Sequence, residues 1–497
     1  MGARQRILVA LIGLSALSLS ACIYQPARFA DRDATTSARD DRPIRLPKRR
    51  VFLSELSQAD AYVRRELVKA LDPRRYPAAG DVNSLDEVVH SSWFRTEPTE
   101  KNGQAKDWAD GPPQPPFKAL KKAPRFGDPK AVVFEDRRGL RYERVDDTKD
   151  RPRMRTAAAA ISSRLVYALG YRTPPVWVVH DEKGQRFAAT RWPLGIDLGP
   201  TSPTGRRGDD PNDRIDHVDR RSLRAIPVLT AWLDIERIEP RMLRDVYVGK
   251  PNRGHVQHHI VGLDQALGVG RYETEVAFAQ DPDRERKNFF LRMFSMGLSP
   301  KPPPSLPTTR WPSIGLITER VSPDSYEPSP PLGPLDRRDA DDDYWLAKRL
   351  QRVSRATIAR AVQAGQLSPV EQNWLFRILL IRRDQVIERA MQQVTPCEVL
   401  GIESVAKTKL LLLRDLSTPS TPSGQAHYAI EILDQDGKRL ERRATQTSSA
   451  DFGVPLVEHV LARGYVVVKI WRRGRRRPVE VHVIHDTKGT RVRGVRH

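Results

Sequence analysis

The spacing of hydrophobic residues divides the chain into stretches of three kinds. Apolar residues recur every three or four positions from Leu53 to Ala70 and from Leu375 to Ile387, a period typical of amphipathic helices. Apolar residues occupy every second position from Val466 to Ile470 (Val466, Val468, Ile470) and from Val479 to Val483 (Val479, Val481, Val483), which indicates strands with one buried face. Residues 301–334 are rich in proline and follow neither period. The pattern predicts a mixed α+β protein.

Short strands and one helix alternate over residues 129–194. Two strands flank Arg137–Gly139, and two more flank Asp181–Gly184, so each pair is predicted to form a hairpin. Between the hairpins, Ile161, Leu165 and Leu169 share one face of a predicted helix that ends at Gly170. This segment is therefore predicted to be a small α+β lobe.

An α-rich lobe is predicted for residues 195–396. It starts with a Gly, Pro and Asp-rich loop and a helix over residues 220–234, in which Pro227 predicts a kink. A strand, turn and strand follow over residues 245–263, and three helices follow from Tyr344 to Val394. The other predicted segments are a signal peptide (1–21), a disordered tether (22–50), a helical and loop segment (51–128) and a small β-rich basic domain (400–497).

The first residues predict the compartment. Arg4 and Arg6 precede an apolar run from Ile7 to Leu19, which is typical of an export signal and short for a membrane span. Leu19-Ser20-Ala21-Cys22 resembles a bacterial lipobox, which implies lipid attachment at Cys22. The resemblance implies a lipid-anchored protein of the bacterial cell envelope, and Ile23 favours the outer membrane. An ordinary cleaved signal followed by a chance cysteine is the alternative.

Cysteine content and charge narrow the partners. If Cys22 carries lipid, Cys397 is the remaining cysteine and has no internal disulfide partner, so burial has to provide stability. The chain has 84 Lys and Arg against 62 Asp and Glu, a net charge of +22. Outside the cytoplasm this charge favours anionic lipid or lipopolysaccharide and not nucleic acid. A protein partner, or a plainly solvated surface, is also compatible with it.

Scattered phrases resemble the protein-kinase-like fold. They are GDVNSLDEVVHSSWF (80–94), ISSRLVYALGY (161–171), HHIVGLDQALG (258–268) and ADDDYWLAKRL (340–350). Together with the order of lobes, they make residues 75–395 similar to exported bacterial proteins of kinase-like fold, in the version that includes HipA-type kinases. The resemblance implies a bilobal, degenerate kinase-like body followed by the β-rich domain.

The same resemblance implies that the catalytic positions are altered. A kinase needs a lysine on the phosphates, a helix glutamate paired with it, and an aspartate and asparagine near magnesium. The lysine position falls on Val145 and the helix glutamate on Ala159. The asparagine position falls on Met242, and the metal-binding aspartate on Gly262. These side chains offer no oxygen ligand to magnesium, so the resemblance implies an inactive body that holds no cofactor.

An active phosphotransferase remains the alternative. Asp234, Glu236, Asp264 and Lys149 lie within a few positions of the altered sites and are the candidate catalytic residues for a shifted geometry, with Glu236 where the catalytic acid would be. Plain solvation beside loops also explains these charges. A purely structural envelope protein is the third possibility.

No metal site is predicted. His258 and His259 are adjacent on a predicted strand and point to opposite faces, so one of them at most can join His255. The acidic run from Asp339 to Asp343 lacks the pattern of a calcium loop and is interpreted as a helix start, with Asp343 as the cap.

The densest basic run is KIWRRGRRRPVE, residues 469–480. Its arginines suit phosphate oxygens, so they form a candidate anion-binding site, although a solvated hairpin tip explains them equally. The predicted anion-binding residues are Arg472, Arg473, Arg475, Arg476 and Arg477.

Overall fold

The structure is a computed structural model. It describes residues 27–30, 33–51, 60–71, 78–96, 100–101, 104–105, 108–120, 131–193, 195–202, 204–236, 238, 242–270, 310–321, 333–406, 408–417 and 425–497. The predicted signal peptide and Cys22 lie outside these residues. Within them, no helix is long and apolar enough to cross a bilayer.

The chain divides into two compact units. The larger unit contains residues 35–83 and 87–393, and the smaller contains residues 394–497, residues 84–86 and the described part of residues 1–34. Helices and several antiparallel sheets occur together, so the predicted α+β class is confirmed.

The larger unit begins with short elements. A π-helix (Asp60–Arg64) continues into α1 (Arg65–Leu71), and β1 (Glu100–Lys101) pairs with β2 (Gln104–Ala105). A five-stranded antiparallel sheet follows, in the order β3-β4-β5-β7-β6. Its strands are β3 (Lys118–Ala119), β4 (Val132–Glu135), β5 (Arg141–Val145), β6 (Val176–His180) and β7 (Arg186–Arg191). Both predicted hairpins are confirmed as β4-β5 and β6-β7.

Helix α2 (Met154–Leu169) lies between β5 and β6 in the chain. It starts with a run of alanines, the best helix formers, and nearly all of its residues are buried. It ends at Gly170, as predicted. Gly170 has a φ of +108°, and a Cβ there would lie 2.5 Å from the carbonyl oxygen of Arg95, so both conformation and space require glycine.

Three further strands form a separate antiparallel sheet in the order β10-β9-β8. They are β8 (Ile196–Pro200), β9 (Leu243–Val248) and β10 (His255–Ile260), which confirms the predicted strand, turn and strand. In the chain, the 3₁₀ turn His217–Asp219 lies between β8 and β9, and a second 3₁₀ turn, Leu263–Gln265, follows β10.

Residues 35–50 run along this sheet, contrary to the prediction of a disordered tether over residues 22–50. The Ile44 amide donates to the carbonyl oxygen of Gly254 (2.8 Å), and the Tyr247 hydroxyl donates to the Ile44 carbonyl (2.8 Å). The Ile44 side chain is buried with Leu198, Tyr247 and Val256. The polar composition of this segment predicted disorder. Composition alone does not reveal that backbone groups of the segment and the side chain of Ile44 have partners elsewhere in the fold.

The remaining elements in the described residues of the larger unit are helical: α3 (Arg221–Arg224), α4 (Ile226–Leu233), a 3₁₀ turn (Gly333–Arg337), α5 (Ala340–Gln351), α6 (Arg355–Gln363) and α7 (Pro369–Gln393). The kink predicted at Pro227 is a break between two helices. Pro227 lies in the first turn of α4, where a missing amide costs no hydrogen bond. Trp232 is fully buried and donates its indole N–H to the Leu379 carbonyl (2.9 Å), which joins α4 to α7.

Helix α5 is capped by Asp339 and not, as predicted, by Asp343. The Asp339 carboxylate accepts the amides of Asp341 and Asp342, and the Asp342 carboxylate accepts the Asp339 amide (3.0 Å). Asp342 is buried beside Arg221, and its burial raises its pKa well above the usual value. The acidic run therefore starts a helix, as predicted. The helix begins at Ala340, four residues before the predicted start at Tyr344.

The smaller unit contains a three-stranded sheet (β11-β12-β15), a five-stranded sheet (β14-β13-β16-β17-β18) and one short helix. Its elements are β11 (Cys397–Val405), β12 (Thr408–Asp415), β13 (Ala426–Asp434), β14 (Arg439–Thr447), β15 (Asp451–Leu456), α8 (Glu458–Leu461), β16 (Tyr465–Arg472), β17 (Val479–Asp486) and β18 (Gly489–Arg496). The alternating valines face one apolar core, which also contains Cys397. Burial raises the pKa of the Cys397 thiol, as expected of a cysteine that serves as a small apolar residue.

Candidate functional site

Val145 and Ala159, the positions that the resemblance assigns to the kinase lysine and helix glutamate, are apolar and lie among apolar neighbours. Val145 ends β5, and Ala159 lies in α2 with 3% of its surface exposed. Both belong to one cluster that also contains Ala160, Val176, Val178 and Ala188. The cluster holds neither an ammonium group nor a carboxylate, so it offers no charge to a triphosphate.

The two positions assigned to magnesium ligands also contain no oxygen donor. Gly262 has a φ of +70°, and a Cβ built there would lie 3.4 Å from Cγ and Cε of Met242. Met242 is 5% exposed. A thioether and a bare Cα cannot replace the carboxylate and amide oxygens that bind magnesium.

Asp264, one of the candidate catalytic residues, forms an ion pair with the first turn of α2. Its Oδ2 accepts from Arg155 Nη2 at 2.6 Å and from Nε at 3.2 Å. The Asp264 side chain is 12% exposed and that of Arg155 is 23% exposed. This carboxylate therefore already has a cation, and binding magnesium would require Arg155 to move away.

The other candidate residues differ in their surroundings. Asp234 ends α4 in a left-handed conformation, is 1% exposed, and lies 3.6 Å from Nη2 of Arg382. Glu236 is 5% exposed. Lys149 is exposed on the loop between β5 and α2, and within the described ranges no ion pair joins it to these acids. No group of three or more His, Cys, Asp or Glu in the described residues is arranged to hold a metal.

The three histidines of β10 separate as strand geometry predicts. His255 contacts Gln257 (Nε2 to Nε2, 3.2 Å). His258 faces the other side and shares a hydrogen bond with Asp245 (Nδ1 to Oδ1, 2.8 Å). Burial, together with the nearby charge of Arg172, lowers the pKa of His259 to about 3. The crowding of histidines in sequence therefore does not become a cluster of ligands.

A buried ionic network lies beside this strand, and sequence reasoning missed it. Asp245 on β9 is fully buried and accepts hydrogen bonds from Arg207 Nη1 (2.7 Å), His258 Nδ1 and the Thr201 hydroxyl. Burial alone would raise the pKa of Asp245, but His258, Thr201 and Arg207 hold it well below its usual value. The signal was present in the Gly, Pro and Asp-rich loop, whose Arg207 carries the buried charge.

The network continues around a tryptophan. The Trp93 ring stacks on His258 with 3.8 Å between centroids and meets the His217 ring edge-on at 4.8 Å. His217 Nε2 contacts Asp213 Oδ2 (2.8 Å), and Arg220 donates to Asp213 Oδ1 (2.8 Å). Each histidine contacts a carboxylate, and His217 is fully buried, so the network is built as structural support for the loop and not as an open catalytic site.

The five predicted anion-binding arginines differ in environment. Arg472 is 5% exposed, and its Nε lies 3.1 Å from Oδ2 of Asp415, so its charge is neutralised inside the protein. Arg475 is half-buried and donates to the Ser417 hydroxyl (3.3 Å). Arg473, Arg476 and Arg477 are exposed. We use "arginine tip" for Arg473, Arg475, Arg476 and Arg477, which leaves Arg472 out.

The face of the five-stranded sheet that turns away from the core carries alternating charges. In consecutive cross-strand positions it presents Arg442, Glu431, Lys469, Glu480 and Arg496. Lys469 Nζ lies 2.9 Å from Glu480 Oε1. Opposite charges on neighbouring strands of one face stabilise their pairing and keep this face polar.

Residues 27–30, which we call the arm, cover an apolar part of the same face. The Phe29 ring meets the His482 ring edge-on at 4.9 Å, and a Cβ on Gly494 would collide with it. The Phe29 amide donates to the Tyr465 hydroxyl (3.2 Å), and Arg496 donates to the Ala27 carbonyl (2.8 Å). For these residues too, the predicted disorder is replaced by contacts with the β-rich unit.

Removal of the Phe29 ring is expected to expose His482. Burial lowers the pKa of His482 to about 4, and the Arg496 charge contributes in the same direction while Glu480 opposes it. A folded-state pKa below the usual 6.5 means that stability is full above pH 6.5 and is lost as the pH falls towards 4. In Phe29→Ala, water reaches the ring, so NMR titration should give a higher pKa for His482 and denaturation a weaker acid dependence. An unchanged His482 titration would contradict the shielding role of Phe29.

Two surface features are present in the described part of the larger unit. The first lies between α2 and residues 313–315 and has no room for a water molecule. The other is a groove of about 540 Å³ on α7, lined among others by Trp311, Trp374 and Arg377. The lack of space at the first feature shows that α2 is packed closely against residues 313–315.

Comparison with known proteins gives little sequence similarity. No protein-family model matches the chain, and no curated protein is similar to it. Among solved structures, the crystal structure of a Helicobacter pylori proinflammatory kinase, CtkA, aligns with 55% of this chain and 94% of that chain, at 9% sequence identity and a TM-score of 0.32. At this level of similarity no residue of that kinase can be assigned to a position here.

Proposed function

We propose that this protein is an exported lipoprotein, anchored through Cys22 in the bacterial outer membrane, whose body is a kinase-like scaffold without phosphotransferase activity. The N-terminal sequence supports the export and the anchor. The order of elements supports the scaffold: an antiparallel sheet with one helix between its third and fourth strands, followed by a hairpin and an α-rich part.

The apolar cluster that contains Val145 and Ala159 is the main observation in support of a body without phosphotransferase activity. Phosphoryl transfer depends on positioning and on electrostatic stabilisation of the phosphates, which in kinases requires a strand lysine held by a helix glutamate. Here hydrocarbon side chains occupy both positions, and both pack within the same apolar cluster. At the two positions assigned to metal ligands, Gly262 and Met242 offer no side-chain oxygen.

The acids that remain near these positions already interact with arginines. Arg155 neutralises Asp264, and Arg382 lies near Asp234. A scaffold acts by binding, so its function depends on surfaces, and its net charge of +22 favours an anionic envelope component or an acidic protein partner.

Nucleotide binding tests the proposal directly. A ligand at about 100 times its Kd would add about 2.7 kcal/mol of stability and raise the melting temperature. We expect ATP with Mg²⁺ or Mn²⁺ to leave the melting temperature unchanged, and phosphate transfer from radiolabelled ATP to be the same for the wild-type protein and Asp264→Asn.

The active alternative predicts different results. A reproducible shift with ATP and metal that disappears in Asp264→Asn or Glu236→Gln would show that displaced acids bind the nucleotide, and the scaffold proposal would be wrong. Asp384→Asn is the matched control, because Asp384 is an exposed carboxylate in the same unit and its replacement should affect neither measurement.

A further inference from the structure

The arginine tip is a compact group of four positive charges. It forms the turn between β16 and β17, and residues 473–479 contain no acidic side chain. The preceding Arg472 is neutralised by Asp415, which also contacts the Tyr428 hydroxyl and the Ser417 hydroxyl. Three of the four arginines, Arg473, Arg476 and Arg477, are exposed, while the charge of Arg472 at the base of the tip is balanced inside the unit.

Hydrogen bonds fix the backbone of the tip on both sides. The Arg473 amide donates to the His427 carbonyl (2.9 Å), and the Arg475 amide donates to the Arg472 carbonyl (3.1 Å). On the other side, the Thr395 amide donates to the Arg477 carbonyl (2.9 Å). A turn that is already ordered loses little backbone entropy when its arginines bind a ligand.

The arm brings the predicted lipid attachment site close to the tip. Arg496, which holds the Ala27 carbonyl, is paired across the sheet with Glu480, three residues from Arg477. Three residues of strand span about 10 Å. Cys22 precedes Ala27 by five residues, which extend to at most about 18 Å. Even with the length of the Arg496 side chain, an acyl chain on Cys22 would keep the tip within a few nanometres of the bilayer.

We infer that the arginine tip binds the anionic headgroups of the membrane that holds the protein's own acyl anchor. The inference rests on the proposed acylation of Cys22 and narrows the anionic partner to a lipid surface. Guanidinium groups donate paired hydrogen bonds to phosphate oxygens. A short tether makes the second contact intramolecular, so a weak intrinsic affinity is enough to hold the β-rich unit on the membrane.

Vesicle binding without the anchor measures the tip alone. A chain that starts at residue 23 retains every described residue and has no acyl group. We expect it to sediment with vesicles of phosphatidylglycerol and phosphatidylcholine, to ignore vesicles of phosphatidylcholine alone, and to dissociate at high salt. Each arginine of the tip replaced by glutamine should weaken binding about fivefold, so the quadruple variant should lose it by more than about 100-fold.

A matched quadruple variant separates the tip from net charge. Lys438, Arg439, Arg442 and Arg463 are exposed cations elsewhere on the same unit. Their replacement by glutamine changes the charge equally and should leave vesicle binding within about threefold of the wild type. Equal weakening by the two quadruple variants would overturn the inference. Displacement by inorganic phosphate at constant ionic strength would also overturn it, because the site would then be one for free anions.

Acylation is measured separately. Labelled palmitate should enter the wild-type chain in cells and not Cys22→Ala. If labelling fails while the unacylated chain still binds anionic vesicles through the tip, the proposed anchor is wrong and the tip remains a lipid-binding surface. If labelling succeeds and the tip variants bind as the wild type does, the anchor stands and the inference is wrong.

Discussion

Replacement of Asp245 by asparagine is expected to destabilise the larger unit by about 3–5 kcal/mol, because it removes one partner of a buried ion pair. Asp245 and Arg207 are both fully buried, with 2.7 Å between Oδ2 and Nη1. The variant would remove the buried countercharge of Arg207, which would keep an ion pair with the partly exposed Asp209 (Nε to Oδ1, 2.9 Å). It would also replace the charged acceptor of His258 with a neutral amide oxygen. Urea denaturation followed by tryptophan fluorescence measures the loss, since Trp93 stacks on His258.

Two variants control this experiment. Asp384→Asn removes an exposed carboxylate, 64% exposed and paired with Arg383, and should cost less than about 1 kcal/mol. The double variant Asp245→Asn with Arg207→Met removes both charges and should be more stable than Asp245→Asn alone. A loss below about 1 kcal/mol for Asp245→Asn would show that the network contributes little. Because the pKa of Asp245 is lowered, this stability is present above the unfolded carboxyl pKa and is lost on further acidification.

The substitutions Val145→Lys and Ala159→Glu are expected to show whether positions 145 and 159 face each other. Ala159→Glu places a carboxylate among Ala160, Val176, Val178 and Ala188, which should cost more than about 3 kcal/mol. Val145→Lys should cost less, because Val145 is half-buried and a lysine can extend its ammonium group to water. In the double variant the two charges can pair, so the coupling energy should be about 1–3 kcal/mol in favour of the pair.

The coupling has a matched control in the next residue of α2. Ala158 is 1% exposed and belongs to a different apolar cluster, so Ala158→Glu should destabilise the protein without coupling to Val145→Lys. Strictly additive free energies of unfolding for Val145→Lys and Ala159→Glu would mean that these positions do not correspond to the kinase pair. The denaturant midpoints of the four proteins of the cycle provide the measurement.

Elements with a strong local signal were predictable, and elements held by distant partners were not. The hairpins around Gly139 and Gly184 and the helix that ends at Gly170 form where turn residues and apolar periods agree. The start of α5 was placed four residues late, because a run of aspartates offers several caps and only one of them meets the amides of the first turn. Residues 35–50 were predicted to be disordered because their partners lie on β8, β9 and β10.

The candidate site shows the same division. Val145, Ala159 and Met242 are apolar by residue type, so the prediction that these positions offer no charge and no oxygen ligand needs no coordinates. The roles of Asp264 and Arg472 could not be predicted from the sequence, since the role of each charged group depends on which partner it contacts in the folded protein. Asp264 meets Arg155, and Arg472 meets Asp415.

The sequence by itself determined the α+β class, most of the described secondary structure, the apolar character of Val145, Ala159 and Met242, and the expectation of an exported, basic protein. These depend on residue type and on short-range periodicity, which act within one helix turn or one hairpin. Only the tertiary structure decided which charges are neutralised and which remain available. The ion pairs of Arg155 with Asp264 and of Arg207 with Asp245 join residues 109 and 38 positions apart, and electrostatic energy depends on distance in space and on burial, not on separation along the chain.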